Sequence, residues 1–213
     1  MITDNQLKIK IDILTNKLEA GLFEDVITEA KGLLKKRGHQ IIYNIISIAY
    51  QSLGKFDLSV KIMEEALKKN PRNPYFLNNM GISKHKLEIL DEAEYYFKKG
   101  LEIAPNYINI LNNLANLKKD LNQFDEAIVL YKKSLEINKV SNEIQFNLAT
   151  IYITLGKFND AEFHLSKILE NNPKATEADR LISSFTKYSQ DNDHLKKMIK
   201  KIEEKDLNKN QLM

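Results

Sequence analysis

Apolar residues recur three and four positions apart along most of this chain, the spacing of amphipathic helices. Within 111–118, for example, Leu111, Leu114, Ala115 and the methylene stem of Lys118 fall on one stripe. Short breaks interrupt the stripes at Gly54, Asn122 and Gly156, where a left-handed backbone is easily accommodated. The breaks are themselves periodic. "GKFDLSVKIMEEALKKNP", "LDEAEYYFKKGLEIAP" and "GKFNDAEFHLSKILENNP" align without a gap, and Pro71 and Pro105 stand 34 apart, with Pro173 two further periods away. Ala93, Ala127 and Ala161 keep the same 34-residue register, as do Gly81, Ala115 and Ala149. Phe56, Phe124 and Phe158 hold it too. An internal period of this length means an array of small units that share a core only by stacking.

Each unit reads as two helices. The first ends at the break; the second starts after an aromatic residue, passes a small one such as Ala127, and stops before a proline, which cannot continue a helix interior. Small positions let the two helices approach closely, and aromatics fill the space between layers. This pattern resembles the tetratricopeptide repeat (TPR) family. On that resemblance the units are 40–73, 74–107, 108–141 and 142–175. The family's motif positions are filled by Tyr43, Ile46, Tyr50, Ala66 and Pro71 in the first unit, and by Leu77, Met80, Gly81, Ala93, Phe97, Gly100 and Pro105 in the second. Leu111, Leu114, Ala115, Ala127, Tyr131 and Ser134 fill them in the third, and Leu148, Ala149, Tyr152, Gly156, Ala161 and Pro173 in the fourth. Ser59 and Lys139 stand where the family has alanine and proline, and tryptophan is absent. Residues 7–39 read as a divergent first repeat and 176–205 as C-terminal capping helices, with Leu195, Met198, Ile199 and Ile202 on one stripe. The implied fold is all-α, a single right-handed superhelical α-solenoid over 1–213.

Composition narrows the chemistry. There are 213 residues, 29% of them charged, with a net charge of +3 and no cysteine, which removes disulfides, thiol catalysis and cysteine metal sites. Only Arg37, Arg72 and Arg180 supply guanidinium groups, against the Arg-rich habit of nucleic-acid binders, so no nucleic-acid partner is expected. No stretch is apolar for long enough to span a membrane. The absence of a basic-then-apolar start and of cysteine points to the cytoplasm. His39, His85, His164 and His194 occupy different repeat positions and read as exposed helix-surface residues; no metal site or cofactor is expected. "GKF" is an inter-helix turn rather than a phosphate loop, since no Ser or Thr follows its lysine. Glu64, Glu65, Asp91 and Glu92 read as helix-start or surface acids, and Tyr95, Tyr96, Phe97 and Tyr131 as packing residues. Catalysis is not expected.

The resemblance also implies where a ligand would sit. In TPR proteins the first helices line a concave groove, through the second, fifth, sixth and ninth positions and their neighbours. Here these are Ile41, Asn44, Ile45 and Ile48; Tyr75, Asn78, Asn79 and Ile82; Asn109, Asn112, Asn113 and Asn116; then Glu143, Phe146, Asn147 and Thr150. Asn79, Asn113 and Asn147 repeat at one position, 34 apart. An amide offers donor and acceptor together, matching a peptide backbone. With helices ~10 Å apart and an extended chain advancing ~3.3 Å per residue, one rung would meet a bound segment about every three residues. The ladder resembles that in the repeat region of O-linked N-acetylglucosamine transferases. The lysine and arginine clamp that other TPR proteins use for acidic chaperone tails is absent from these positions. AT-rich codon drift accounts for plentiful asparagine but not for its register on one face.

The expectation is a non-catalytic scaffold holding an extended peptide of a protein partner through Asn44, Asn78, Asn79, Asn112, Asn113, Asn116 and Asn147, with Ile82 and Phe146 adding apolar contact. The alternative is a substrate-presenting N-terminal arm of a larger sulfotransferase or glycosyltransferase, because residues 175–213 resemble the segment after the repeats in bacterial TPR-containing sulfotransferases. Weak self-association through the end helices is a third expectation.

Overall fold

The computed structural model describes residues 3–187 and 192–203. Among them are twelve α-helices and no strand. The first seven are α1 (Asp4–Glu19), α2 (Phe23–Lys36), α3 (Gln40–Ser52), α4 (Phe56–Lys69), α5 (Pro74–Lys86), α6 (Leu90–Ile103) and α7 (Ile108–Asp120). They are followed by α8 (Phe124–Ile137), α9 (Asn142–Thr154), α10 (Phe158–Asn171), α11 (Thr176–Phe185) and α12 (Asp193–Glu203). The expected units begin where α3, α5, α7 and α9 begin. The all-α, helix–turn–helix architecture follows the sequence pattern closely. Residues 204–205 of the expected capping segment, and 188–191 and 204–213 of the tail, lie outside the described residues.

Every unit turns with a left-handed residue at the same place: Gly54 (φ 69°), Glu88 (φ 61°), Asn122 (φ 58°) and Gly156 (φ 68°). Gly21 does the same between α1 and α2 (φ 77°). Glu88 is the one of these whose residue type does not suit the turn, since its β-carbon disfavours this region. Replacing it by glycine should raise stability by about 0.5 kcal/mol, the relief of backbone strain being partly offset by the extra freedom of glycine in the unfolded chain. A rise in the urea midpoint with an unchanged slope would show it.

The chain forms two compact units, Met1–Gln123 and Phe124–Met213. In the first, each second helix is wedged between consecutive first helices. Val26, Ala30, Ile42, Ile46 and Ala49 make one cluster of α2 and α3; Tyr43, Met63, Ala66, Phe76 and Met80 make the next, of α3, α4 and α5. Ser59, the departure from the repeat pattern, is fully buried and hydrogen-bonded to Ser47 and Ser83 through hydroxyls 2.8 Å away on either side. Gln51 donates to the Asn79 carbonyl oxygen and to Ser83 Oγ, each at 3.0 Å. A satisfied polar seam therefore replaces the usual small apolar contact there.

In the second unit Ala149, Leu165, Ile168, Ala178 and Ile182 form the core of α9, α10 and α11. Two surface assignments need correction. None of the four histidines is exposed. His164 and His194 are buried, and His39 caps α3 by accepting from the Ile41 amide. His164 stacks on Tyr152 and lies 2.6 Å from Gln145 Oε1. A ring with polar edges tolerates burial once those edges find partners. Tyr95, in contrast, is 51% exposed; it faces outward on α6, resting edge-on against Tyr96.

Candidate interaction face

Helices α3, α5 and α7 lie side by side in the first unit, so their corresponding positions share one face. Seven of the nine site residues meet there. The Asn79 amide donates to Asn44 Oδ1 at 3.2 Å, and that of Asn113 to Asn78 Oδ1 at 2.9 Å. Each bond joins the sixth position of one repeat to the fifth of the repeat before it. Asn78 and Asn79 are buried, while Asn44, Asn112, Asn113 and Asn116 are half-buried. Sequence spacing shows the two rows of asparagine but not that the rows bond to each other, because the 35-residue offset depends on how adjacent helices slide.

These bonds have an energetic consequence. Asn78→Ala leaves a half-buried donor on Asn113 without its acceptor, whereas removing both amides leaves nothing unpaired. A double-mutant cycle on Asn78→Ala and Asn113→Ala should give a coupling of about 1 kcal/mol. A coupling indistinguishable from zero in denaturation measurements would mean that the bond adds nothing to the stacking of α5 on α7.

Ile82, Asn113 and Asn116 line a cleft of about 180 Å³ together with His85, Lys86, Phe97, Lys119 and Asp120. His85 Nε2 lies 3.0 Å from Asp120 Oδ2. Burial holds the His85 pKa below the ordinary imidazole value despite the attraction of that carboxylate. The charged members of the cleft sit in the last turns of α5 and α7. Above them the face is neutral, with Ile41, Ile48 and Tyr75 exposed to 42%, 39% and 55%. Tyr75 rests edge-on against Tyr107, ring centroids 5.2 Å apart. Phe146 and Asn147 belong to α9 in the second unit; both are half-buried, and Phe146 packs against the core there.

Three family models, each described as a tetratricopeptide repeat, match residues 41–73, 75–139 and 120–184. The chain carries tetratricopeptide repeats. No curated protein matches it. Among solved structures it is similar to TTC0263, a thermophilic TPR protein of Thermus thermophilus, with TM-score 0.71 and 17% identity over 83% of this chain and 97% of that one. PilF of Pseudomonas aeruginosa gives TM-score 0.74 and 15% identity over 94% and 92% of the two chains. MamA of Desulfovibrio magneticus gives 0.62 and 15% over 88% and 100%. At such identities the likeness is one of fold. It adds no support to the alternative of an enzyme arm.

Beyond the matched TPR residues, α12 is tied to α11 through one buried carboxylate. Asp179 Oδ1 lies 3.0 Å from His194 Nε2, and Lys201 Nζ donates to Oδ2 at 2.6 Å. The partners are 15 and 22 residues away, so no local spacing in the sequence signals the cluster. Burial pushes the Asp179 pKa up, but the hydrogen bonds from His194 and Lys201 outweigh it and the net value is lowered. A carboxyl held low in the folded state contributes stability above its unfolded pKa, near ~3.9, and loses it as pH falls through the lower folded value. Below about pH 4, α12 amides should therefore lose protection from hydrogen exchange before those of α9 and α10, and Asp179→Asn should abolish that acid step. Protection of α12 that is unchanged down to about pH 3 would contradict this.

Among the described residues no three His, Cys, Asp or Glu side chains gather as a metal site, and no helix is long and apolar enough to cross a membrane.

Proposed function

We propose that this protein is a non-catalytic interaction scaffold whose first helices hold an extended segment of a protein partner, with the asparagine rows meeting the segment's backbone. TPR repeats are typical protein-interaction modules, and one observation carries the finer reading: three adjacent helices present amides in register beside exposed Ile41, Ile48 and Tyr75. Asn44 and Asn78 hold the amides of the next repeat in place, which leaves the second N–H and the Oδ1 of Asn113 for a ligand. Asn112, whose Oδ1 is buried without a hydrogen-bond partner, can offer that acceptor by rotation about χ2. Asn116 and Ile82 extend the site; Asn147 and Phe146 hold the equivalent repeat positions on α9, within the second unit. Each backbone bond adds only about 0.5–1.5 kcal/mol net, so binding is adjustable rather than tight. With no cysteine in the chain, we place it in the cytoplasm.

A photo-crosslinking residue introduced at Ile48, Tyr75 or Asn116 should capture an extended peptide, while the same residue at Glu64 on α4 should not. Equal capture from both positions would defeat the proposal. Weak self-association is a secondary reading, favoured by the exposed Ile9 and Ile13 of α1 and Ile199 and Ile202 of α12. Sedimentation equilibrium of an Ile13→Lys, Ile202→Lys variant would show whether those faces carry it.

A further inference from the structure

Charged residues make up 29% of the chain, yet the second, fifth, sixth and ninth positions of the first three clear repeats contain none. These twelve residues are Ile41, Asn44, Ile45, Ile48, Tyr75, Asn78, Asn79, Ile82, Asn109, Asn112, Asn113 and Asn116. Charge begins only in the last turns of α5 and α7, and most of it there is already matched. Lys84 pairs with Glu92 at 2.8 Å and Lys118 with Glu94 at 2.7 Å, while Asp120 has the His85 ring as a hydrogen-bond partner at 3.0 Å. The polarity of the face also changes from helix to helix. On α3 it is aliphatic, with Ile41 and Ile48 exposed one above the other two turns apart. On α5 it is mixed, with Tyr75 and Ile82 bracketing two buried amides. On α7 all four positions are asparagine.

We infer that the segment held on this face is uncharged, with aliphatic or aromatic side chains over α3 and the start of α5, and hydroxyl or amide side chains and bare backbone over α7. The inference rests on the peptide-holding reading and names the chemistry that reading leaves open. A charged side chain laid here would give up water and find no counter-charge in return. A neutral one gives up little, buries the exposed isoleucines and tyrosine, and meets donors and acceptors that carry no net charge. Binding should then be nearly indifferent to salt, unlike capture by a charged face.

The test uses the full chain and fluorescent peptides of about ten residues, long enough to cross three helices. One peptide joins a Leu/Ile/Phe half to a Ser/Asn/Gln half; two others carry Asp or Lys at alternate positions of the same frame. By anisotropy the uncharged peptide should bind more than about tenfold tighter than either charged one, with less than about a twofold change between roughly 50 and 500 mM salt. Ile48→Lys, a change at an exposed position, should weaken the uncharged peptide about tenfold while the helical circular dichroism is retained. Tighter binding of the acidic or basic peptide that is lost in Tyr75→Ala would overturn the uncharged assignment and leave the peptide-holding reading standing. Failure of all three peptides to bind would overturn both.

Discussion

Glu94→Ala should destabilise the first unit by about 3 kcal/mol. Glu94 on α6 accepts from Lys98 at 2.6 Å and from Lys118 at 2.7 Å, and Lys118 on α7 is only 4% exposed. Burial pulls the Glu94 carboxyl upward, but the two ammonium groups outweigh it and hold its pKa below the ordinary value. Removing the carboxylate takes this counter-charge from a buried ammonium, and Gln123 Oε1, at 2.8 Å, is neutral and does not replace it. Replacing both charges, as Glu94→Leu with Lys118→Met, should come within about 1 kcal/mol of the parent, because both members of the ion pair are then removed together. Urea denaturation of the two variants distinguishes loss of the counter-charge from a simple loss of contact. If the double variant is as unstable as the single one, packing rather than charge is what Glu94 supplies.

Gly81→Ala should cost about 1–2 kcal/mol even though alanine is the better helix former by nearly ~1 kcal/mol. A β-carbon at Gly81 would lie 2.5 and 2.6 Å from two ring carbons of Phe97, a fully buried ring that would have to shift. The same change at Gly100 meets the terminal methyl of Ile110 at 2.5 Å, the free end of a flexible side chain, and should be close to neutral. The fourth repeat carries Ala149 and Leu165 at the positions of Gly81 and Phe97, packed in one cluster. Gly81→Ala combined with Phe97→Leu should therefore recover most of the loss. A Gly81→Ala protein as stable as the parent in denaturant would show that the ring can give way.

Glycine, alanine and serine at one register and phenylalanine, tyrosine and methionine at another look interchangeable in the repeat pattern, yet the two registers are matched pairwise in space. That is why the sequence shows the small position but not its cost. The same holds on the interaction face. The asparagine rows are visible at a period of 34; the Asn79–Asn44 and Asn113–Asn78 bonds are not, since they join different positions of successive repeats. Spacing puts a turn at Glu88, 34 residues from both Gly54 and Asn122, but its residue type does not. It takes the left-handed conformation against its own preference because the helices on both sides oblige it to.

The periodicity of apolar residues, the breaks and the prolines determined by themselves that the repeats are helical, where each of the four clear units begins, and which stripe of most helices is buried. Those are local properties, set by hydrogen bonding within each helix and by the need of every stripe to leave water. Only the tertiary structure decided which side chains from different repeats meet. It paired amide with amide on the first-helix face, sealed Ser59 between two serines, buried Lys118 against Glu94, and gathered His194 and Lys201 around Asp179. These contacts depend on a few ångströms of slide and rotation between packed helices, and the 34-residue period leaves those distances open.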